Sequence, residues 1–300
     1  KTTIIQTALH WQNREANLQM FEEKINSISE ETDLIVLPEM FTTGFTMDVE
    51  LNAEICSTEL QFSTTVKKMQ QWAKTKNSAI CGSLIVEENN NYYNRLYFVE
   101  PDGKTQHYDK RHLFRMAGED KIYTTGTKKT IIDYKGWKIC PLICYDLRFP
   151  VWSRNVDNAY DLLIYVANWP APRSAAWQIL LKARAAENLS YCIGVNRVGK
   201  DNNGMDYCGN SAIINFKGES LFENQNQEVT HTETLCKEEL QNYIGGGLDY
   251  HNWVTLGSSF LAEEDRLDNA VPFTGIFEQG VISETISELL IKEWNNEKED

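Results

Sequence analysis

PLICYDLRFP, Pro141 to Pro150, decides how the rest of this chain is read. A short apolar strand, Ile139 to Ile143, runs straight into Cys144, and Asp146 and Arg148 then open a polar, helix-compatible segment. A thiol where a strand ends in a tight turn can project into a cleft while backbone N–H groups converge beside it. A nucleophile and its oxyanion site need that geometry. Taken alone, a cysteine is more often a small buried hydrophobe, so the weight comes from the stretches around it.

Upstream lies YDKRHLFRMAGE, Tyr108 to Glu119, in which Lys110 follows a strand begun at Lys104 and precedes the apolar pair Leu113 and Phe114. Lysines in such places usually face water. His112 invites a dyad with Cys144, but no third orienting group is visible, and it is read as structural. Further upstream, DLIVL (Asp33 to Leu37) is a buried strand that ends in Pro38-Glu39. Proline cannot donate to a ladder, so Glu39 sits where the strand leaves the sheet. Its apolar flanks, Leu37, Met40, Phe41 and Phe45, suit a merely solvated carboxylate poorly. Downstream, DLLIYVA (Asp161 to Ala167) is a buried strand that ends in NWPAPR, Asn168 to Arg173, a loop rich in pocket-lining groups.

The remaining chain supplies layers for these strand ends. Thr2 to Leu9 reads as a central strand, and Asn13 caps a helix with Ala16, Met20, Phe21, Ile25 and Ile28 at helical spacing. Thr58 to Asn77 forms a second amphipathic helix, and Ser174 to Asn188 a third, with Leu181 and Ala185 on its inner side. Strands are expected over Ala79 to Val86, Tyr92 to Glu100 and Tyr191 to Val198. A hairpin turns at Lys217-Gly218, and a last strand, Thr232 to Leu235, precedes a short helix, Lys237 to Tyr243. Two runs of strand, helix and strand, each with its own hairpin, give a pair of sheets covered by helices, an α/β fold. Gly245-Gly246-Gly247 is the clearest linker. It divides a domain over residues 1–243 from an acidic extension, 244–300, whose segment after Gly247 has only Arg266, Lys292 and Lys298 as basic residues. There Val271 to Val281 suits strands and Ser283 to Trp294 a helix, with no catalytic pattern; a lobe, a lid and a subunit contact are all open.

The balance of 29 basic and 43 acidic residues, net −14, disfavours nucleic acid or an anionic membrane as partner. It leaves room for a small anionic substrate in a locally basic pocket. The seven cysteines (56, 81, 140, 144, 192, 208 and 236) show neither a zinc pattern nor a disulfide framework, which suits a reducing cytoplasm. No leader pattern and no membrane-length run is present, so a soluble, cytoplasmic protein is expected.

Three stretches taken together, LPEMFTTGF with Glu39, YDKRHLF with Lys110 and LICYDLRFP with Cys144, resemble the nitrilase (carbon–nitrogen hydrolase) superfamily over about residues 1–243. HLFRMAGE, CYDLRFPVW, ANWPAPR and ARAAEN are most similar to the omega-amidases within it. The resemblance implies an αββα sandwich of two mixed sheets covered by helices, and a homodimer or higher homo-oligomer. Its usual short C-terminal arm is not recognised here. No metal or organic cofactor is implied.

What the resemblance implies fits the residue types. Cys144 attacks an amide carbon as thiolate. Glu39, a carboxyl partly buried among apolar residues, takes the proton and later activates water. Lys110 and the backbone N–H of Tyr145 stabilise the oxyanion, and Glu119 is a supporting second carboxylate. The implied substrate is a small oxo-acid amide, 2-oxoglutaramate or 2-oxosuccinamate. A guanidinium suits its far carboxylate, Arg173 first and Arg115 second, with Trp169 and Phe45 as walls. Competing readings are an amidase for carbamoyl or aliphatic amides, and a scaffold protein with a partner-binding tail.

Overall fold

Strands with apolar residues at every position can only be buried on both faces, and this is what the computed structural model, which describes residues 1–56 and 62–246, shows. The first half runs β1 (Thr2–Gln6), α1 (Arg14–Ser27), β2 (Leu34–Val36), α2 (Val49–Asn52), β3 (Glu54–Ile55), α3 (Thr64–Lys76), β4 (Ala79–Glu88), β5 (Asn91–Val99) and β6 (Thr105–Asp109). The second runs β7 (Ile132–Tyr134), β8 (Trp137–Ile143), α4 (Pro150–Ser153), β9 (Leu162–Ala167), α5 (Ser174–Asn188) and β10 (Tyr191–Asn196). It ends with β11 (Val198–Lys200), β12 (Asp206–Ile214), β13 (Ser220–Gln225), β14 (Val229–Glu233) and α6 (Lys237–Gly246).

Among the described residues the strands form two seven-stranded mixed sheets. The first has the order β14-β1-β2-β4-β5-β6, with β3 beside β4; the second has β11-β12-β10-β9-β8-β7, with β13 beside β12. β1, β2 and β4 run parallel, as do β8, β9 and β10. The chain's first strand is closed by its last: β1 pairs antiparallel with β14, Thr2 opposite Glu233.

Side-chain alternation assigns each face. Ile4, Leu34, Val36 and Cys81 join Ile143, Ile164 and Val166 between the sheets. The intervening residues Ile5, Ile35, Leu37 and Ile80 pack under Phe21 and Ile25 of α1 and Val66, Met69 and Ala73 of α3. On the far side Trp177, Leu181 and Ala185 of α5 cover the second sheet. Helix, sheet, sheet and helix are therefore stacked, the αββα sandwich.

Local signals fix the boundaries. The Asn13 side chain accepts from the Ala16 N–H at 3.1 Å, the cap read from the sequence. The second helix starts at Thr64, later than Thr58, because the Ser63 hydroxyl takes up the Val66 N–H there; residues 57–61 lie outside the described chain. At the other end α6 runs through Gly246, so the first two linker glycines are helical. A glycine costs only about 1 kcal/mol against alanine inside an established helix. Residues 1–247 make one compact unit. The expected elements at Val271 to Val281 and Ser283 to Trp294 lie outside the described residues.

Candidate active site

Glu39, Lys110 and Cys144 each sit just past the end of a strand, and each turn is pinned from next door. After β2, Met40 adopts φ +42 and its N–H donates to Ser83 Oγ of β4 at 2.8 Å, which holds Glu39 at the sheet end. After β6, the Lys110 N–H donates to the Asn94 carbonyl at 3.0 Å, and the Gly126 N–H donates to the Lys110 carbonyl at 2.9 Å. A Cβ at residue 126 would overlap the Asp109 carbonyl oxygen, so only glycine lets the chain close there. After β8, Cys144 itself takes φ +46, a strained conformation for a side chain with a Cβ. Asp146 secures that turn by accepting the Ile143 N–H at 3.0 Å.

These ends bring three buried charges together. Lys110 Nζ lies 3.0 Å from Glu39 Oε1 and 2.9 Å from each Glu119 oxygen. All three side chains are at most 1% exposed. Glu119 Oε2 also accepts the Phe114 N–H at 2.6 Å. Burial works against the Lys110 ammonium, but the Glu119 and Glu39 carboxylates overcome it and hold its pKa well above the ordinary lysine value. Burial, reinforced by the Glu39 charge and only partly offset by Lys110, raises Glu119. Cys144 is buried beside the cluster, near enough to Glu39 and Lys110 for both charges to act on its thiol. Burial first, then the Glu39 charge, push its pKa well above that of a free thiol, against the pull of Lys110. At rest the group is thus a thiol beside a base, not a preformed thiolate.

Two asparagines complete the surroundings of Glu39. Asn94 Nδ2 of β5 donates to Glu39 Oε1 at 2.7 Å. The Asn168 backbone N–H donates to Glu39 Oε2 at 2.7 Å, and its Nδ2 to the Glu39 carbonyl at 2.6 Å. From the sequence alone Asn168 is visible only as part of a loop, and nothing singles out Asn94. Asn94 stands beside a charged residue, Arg95, in a strand otherwise rich in aromatic residues, which gives no local sign of its role. Asp146 was likewise undervalued. It accepts from Tyr108 Oη at 2.8 Å and the His112 N–H at 2.9 Å, and pairs with His112 Nδ1 at 2.8 Å. His112 also stacks on Phe149 with ring centroids 3.6 Å apart, the structural role expected of it.

The expected substrate-binding residues fall in different settings. The Phe45 ring centroid is 5.4 Å from Lys110 Nζ, so this side chain does border the cluster. Trp169 is buried, packs on Trp177 at 5.4 Å, and donates Nε1–H to the Arg173 carbonyl at 2.8 Å. The Arg173 guanidinium lies 5.1 Å from the centroid of Phe114, whose ring in turn meets Tyr145 at 5.1 Å. Arg115 is 86% exposed and faces Asp120 at 3.7 Å, a surface ion pair. Among the described residues no His, Cys, Asp or Glu group is arranged to hold a metal ion, and no helix is long and apolar enough to cross a membrane.

Comparison with known proteins agrees with this geometry. The carbon–nitrogen hydrolase family model matches residues 1–244. "Omega-amidase YafV" of Escherichia coli (strain K12) is 46% identical over 244 residues, 81% of this chain and 92% of that protein. "2-oxoglutaramate amidase" of Bacillus subtilis (strain 168) is 31% identical over 219 residues, 71% of this chain and 81% of its own. A CN-hydrolase superfamily protein of Xanthomonas campestris, solved with an arsenic adduct in its active site, superposes with a TM-score of 0.79 at 35% identity, covering 84% of this chain and 96% of that one. The chain belongs to the carbon–nitrogen hydrolase family of the nitrilase superfamily and is a hydrolase acting on C–N bonds.

Proposed function

We propose that this protein hydrolyses the terminal amide of a small 2-oxo-acid amide, 2-oxoglutaramate or 2-oxosuccinamate, to the acid and ammonia through a thioester on Cys144. The observation that carries the reading is the buried Glu39–Lys110–Glu119 cluster with the buried Cys144 thiol beside it. The relatives named for omega-amidase and 2-oxoglutaramate amidase activity support the substrate class.

In the first half, the thiol proton passes to Glu39 as sulfur bonds to the amide carbon and the carbonyl oxygen becomes an oxyanion. Lys110, held charged by its two carboxylates, and the Tyr145 N–H meet that oxyanion. Its collapse breaks the C–N bond while Glu39 returns the proton to nitrogen, and ammonia leaves. In the second half Glu39 takes a proton from water, the resulting hydroxyl attacks the thioester, and the acid departs with the thiol restored. Glu119 keeps Lys110 in place and charged. Arg173, at the start of α5, is the proposed partner for the far carboxylate, with Phe45 as a wall. The enzyme is proposed to act in the cytoplasm as a homodimer.

The test is ammonia release from 2-oxoglutaramate by wild type and by Cys144→Ala, with glutamine, a simple aliphatic amide and a nitrile alongside. The expected result is release by wild type alone and preference for the oxo-acid amide. Equal release by both proteins would overturn the thiol mechanism, and a faster nitrile would overturn the amidase reading.

A further inference from the structure

Two acceptors in the site have no donor. Asn94 Oδ1 and Asn168 Oδ1 are buried without a hydrogen-bond partner, in residues only 1% and 4% exposed. Neither amide can be turned over to relieve this. Asn168 Nδ2 donates to a backbone carbonyl, which can only accept. Asn94 Nδ2 donates to Glu39 Oε1, an oxygen that already accepts from Lys110. Each NH2 is therefore fixed in place, and each carbonyl oxygen is left over. Folded proteins carry few such groups, because a buried acceptor that gave up water and found no donor is costly. Here two of them flank one carboxylate: Asn94 bonds one Glu39 oxygen, and the Asn168 backbone bonds the other.

We infer that Asn94 Oδ1 and Asn168 Oδ1 form the subsite for the substrate's primary-amide nitrogen and for the ammonia it becomes. The inference rests on the function proposed above, in which Glu39 delivers the proton to that nitrogen. A primary amide carries two N–H donors, and the subsite offers two acceptors. An ester oxygen or a nitrile nitrogen offers no donor and leaves both acceptors empty. Sites built to bond an N–H reject analogues that lack it far more strongly than sites that discriminate by shape. The same pair that positions the leaving group thus selects –CONH2 over the nitrile and the ester of the same acid.

The test compares kcat/KM for a primary amide with that for the methyl ester of the same acyl group. Both form the same Cys144 thioester, so effects on the nucleophile weigh on both substrates, and Glu39→Asp gives the ratio change that a misplaced Glu39 alone produces. In Asn94→Leu and Asn168→Leu the amide-to-ester ratio is expected to fall about tenfold or more, as for a lost buried hydrogen bond. If amide and ester rates fall together, the asparagines only hold Glu39, and the inference is overturned. A second measurement needs no variant. Wild-type thioester made from the ester partitions between water and added ammonia, the nitrogen bonding to the acyl carbon as sulfur leaves and one ammonia proton is lost. Amide formation that saturates with ammonia supports the subsite; formation that rises linearly without limit overturns it. Should wild type release ammonia from no primary amide, the proposed function fails and takes the inference with it. Amide cleavage with an unmoved ratio sinks the inference alone.

Discussion

Glu39, as the proposed general base, acts on Cys144 in two opposed ways: in that role it takes the thiol proton, while its charge helps to hold that proton on sulfur. Replacing it separates the two. In Glu39→Gln the thiol pKa is expected to drop, so alkylation by iodoacetamide at about pH 8 speeds up, while ammonia release falls about 10²–10⁴-fold for want of a general base. Slower alkylation would show that the carboxylate does not raise the thiol. The pH dependence of stability follows from the same residues. Cys144 and Lys110 both titrate above their ordinary values of 9.0 and 10.5. A raised folded value means that the contribution is intact below the ordinary value and is lost as pH climbs through the folded one. The urea midpoint should therefore hold up to about pH 9, fall as pH climbs beyond it, and fall less in Cys144→Ala. At this scale the sequence was most legible where chemistry coincides with a strand end: Glu39, Lys110 and Cys144 each follow an apolar run that stops. Asn94 was not legible, because what gives it meaning is Glu39, 55 positions away.

Between elements, Asp146 is the tie that matters. Three of its four contacts, one to Tyr108 in β6 and two to His112 just after it, join these residues to the turn after β8, which the fourth, to the Ile143 N–H, closes; Cys144 and Lys110 are so held in register across two different sheets. Asp146→Ala leaves the Ile143 N–H, the His112 N–H and the Tyr108 hydroxyl without that acceptor. A loss of about 3 kcal/mol or more is expected in urea denaturation, since each orphaned buried group costs roughly 1–3 kcal/mol. Ammonia release should fall with it, and a variant that melts like wild type would refute the tie. Helix α5 is held just as closely: a Cβ at Gly194 of β10 would press on Leu181 and on the rigid ring of Trp177. Gly194→Ala should cost about 1–3 kcal/mol by overpacking, read as a lowered urea midpoint. The strands and long helices were legible because their apolar periods are strong. The joints were not, since Asp146 reads as an ordinary polar turn residue until Tyr108, 38 positions earlier, is seen against it.

At the scale of the whole chain, the family match ends at residue 244 and the compact unit at residue 247. Deleting residues 248–300 is expected to leave ammonia release within about threefold, a difference of less than 1.4 kcal/mol in the barrier; a larger loss would place part of the catalytic machinery in the extension. Light scattering on the full chain should give twice its 34.5 kDa mass if the proposed homodimer holds. The layered architecture was legible from the order of elements, but the edge neighbours were not, because no local pattern tells residue 2 that its partner is residue 233. That pairing sets a timetable. During synthesis Glu39, Lys110 and Cys144 all emerge long before Val229–Glu233, the strand that closes the first sheet beside Thr2. Such distant pairings form late and slowly, so the nascent chain carries every proposed catalytic side chain while its first sheet still lacks an edge. Catalytic competence then becomes a clock for the last act of folding: on dilution from urea, ammonia release should lag the return of helical signal, and by more when β14 is weakened.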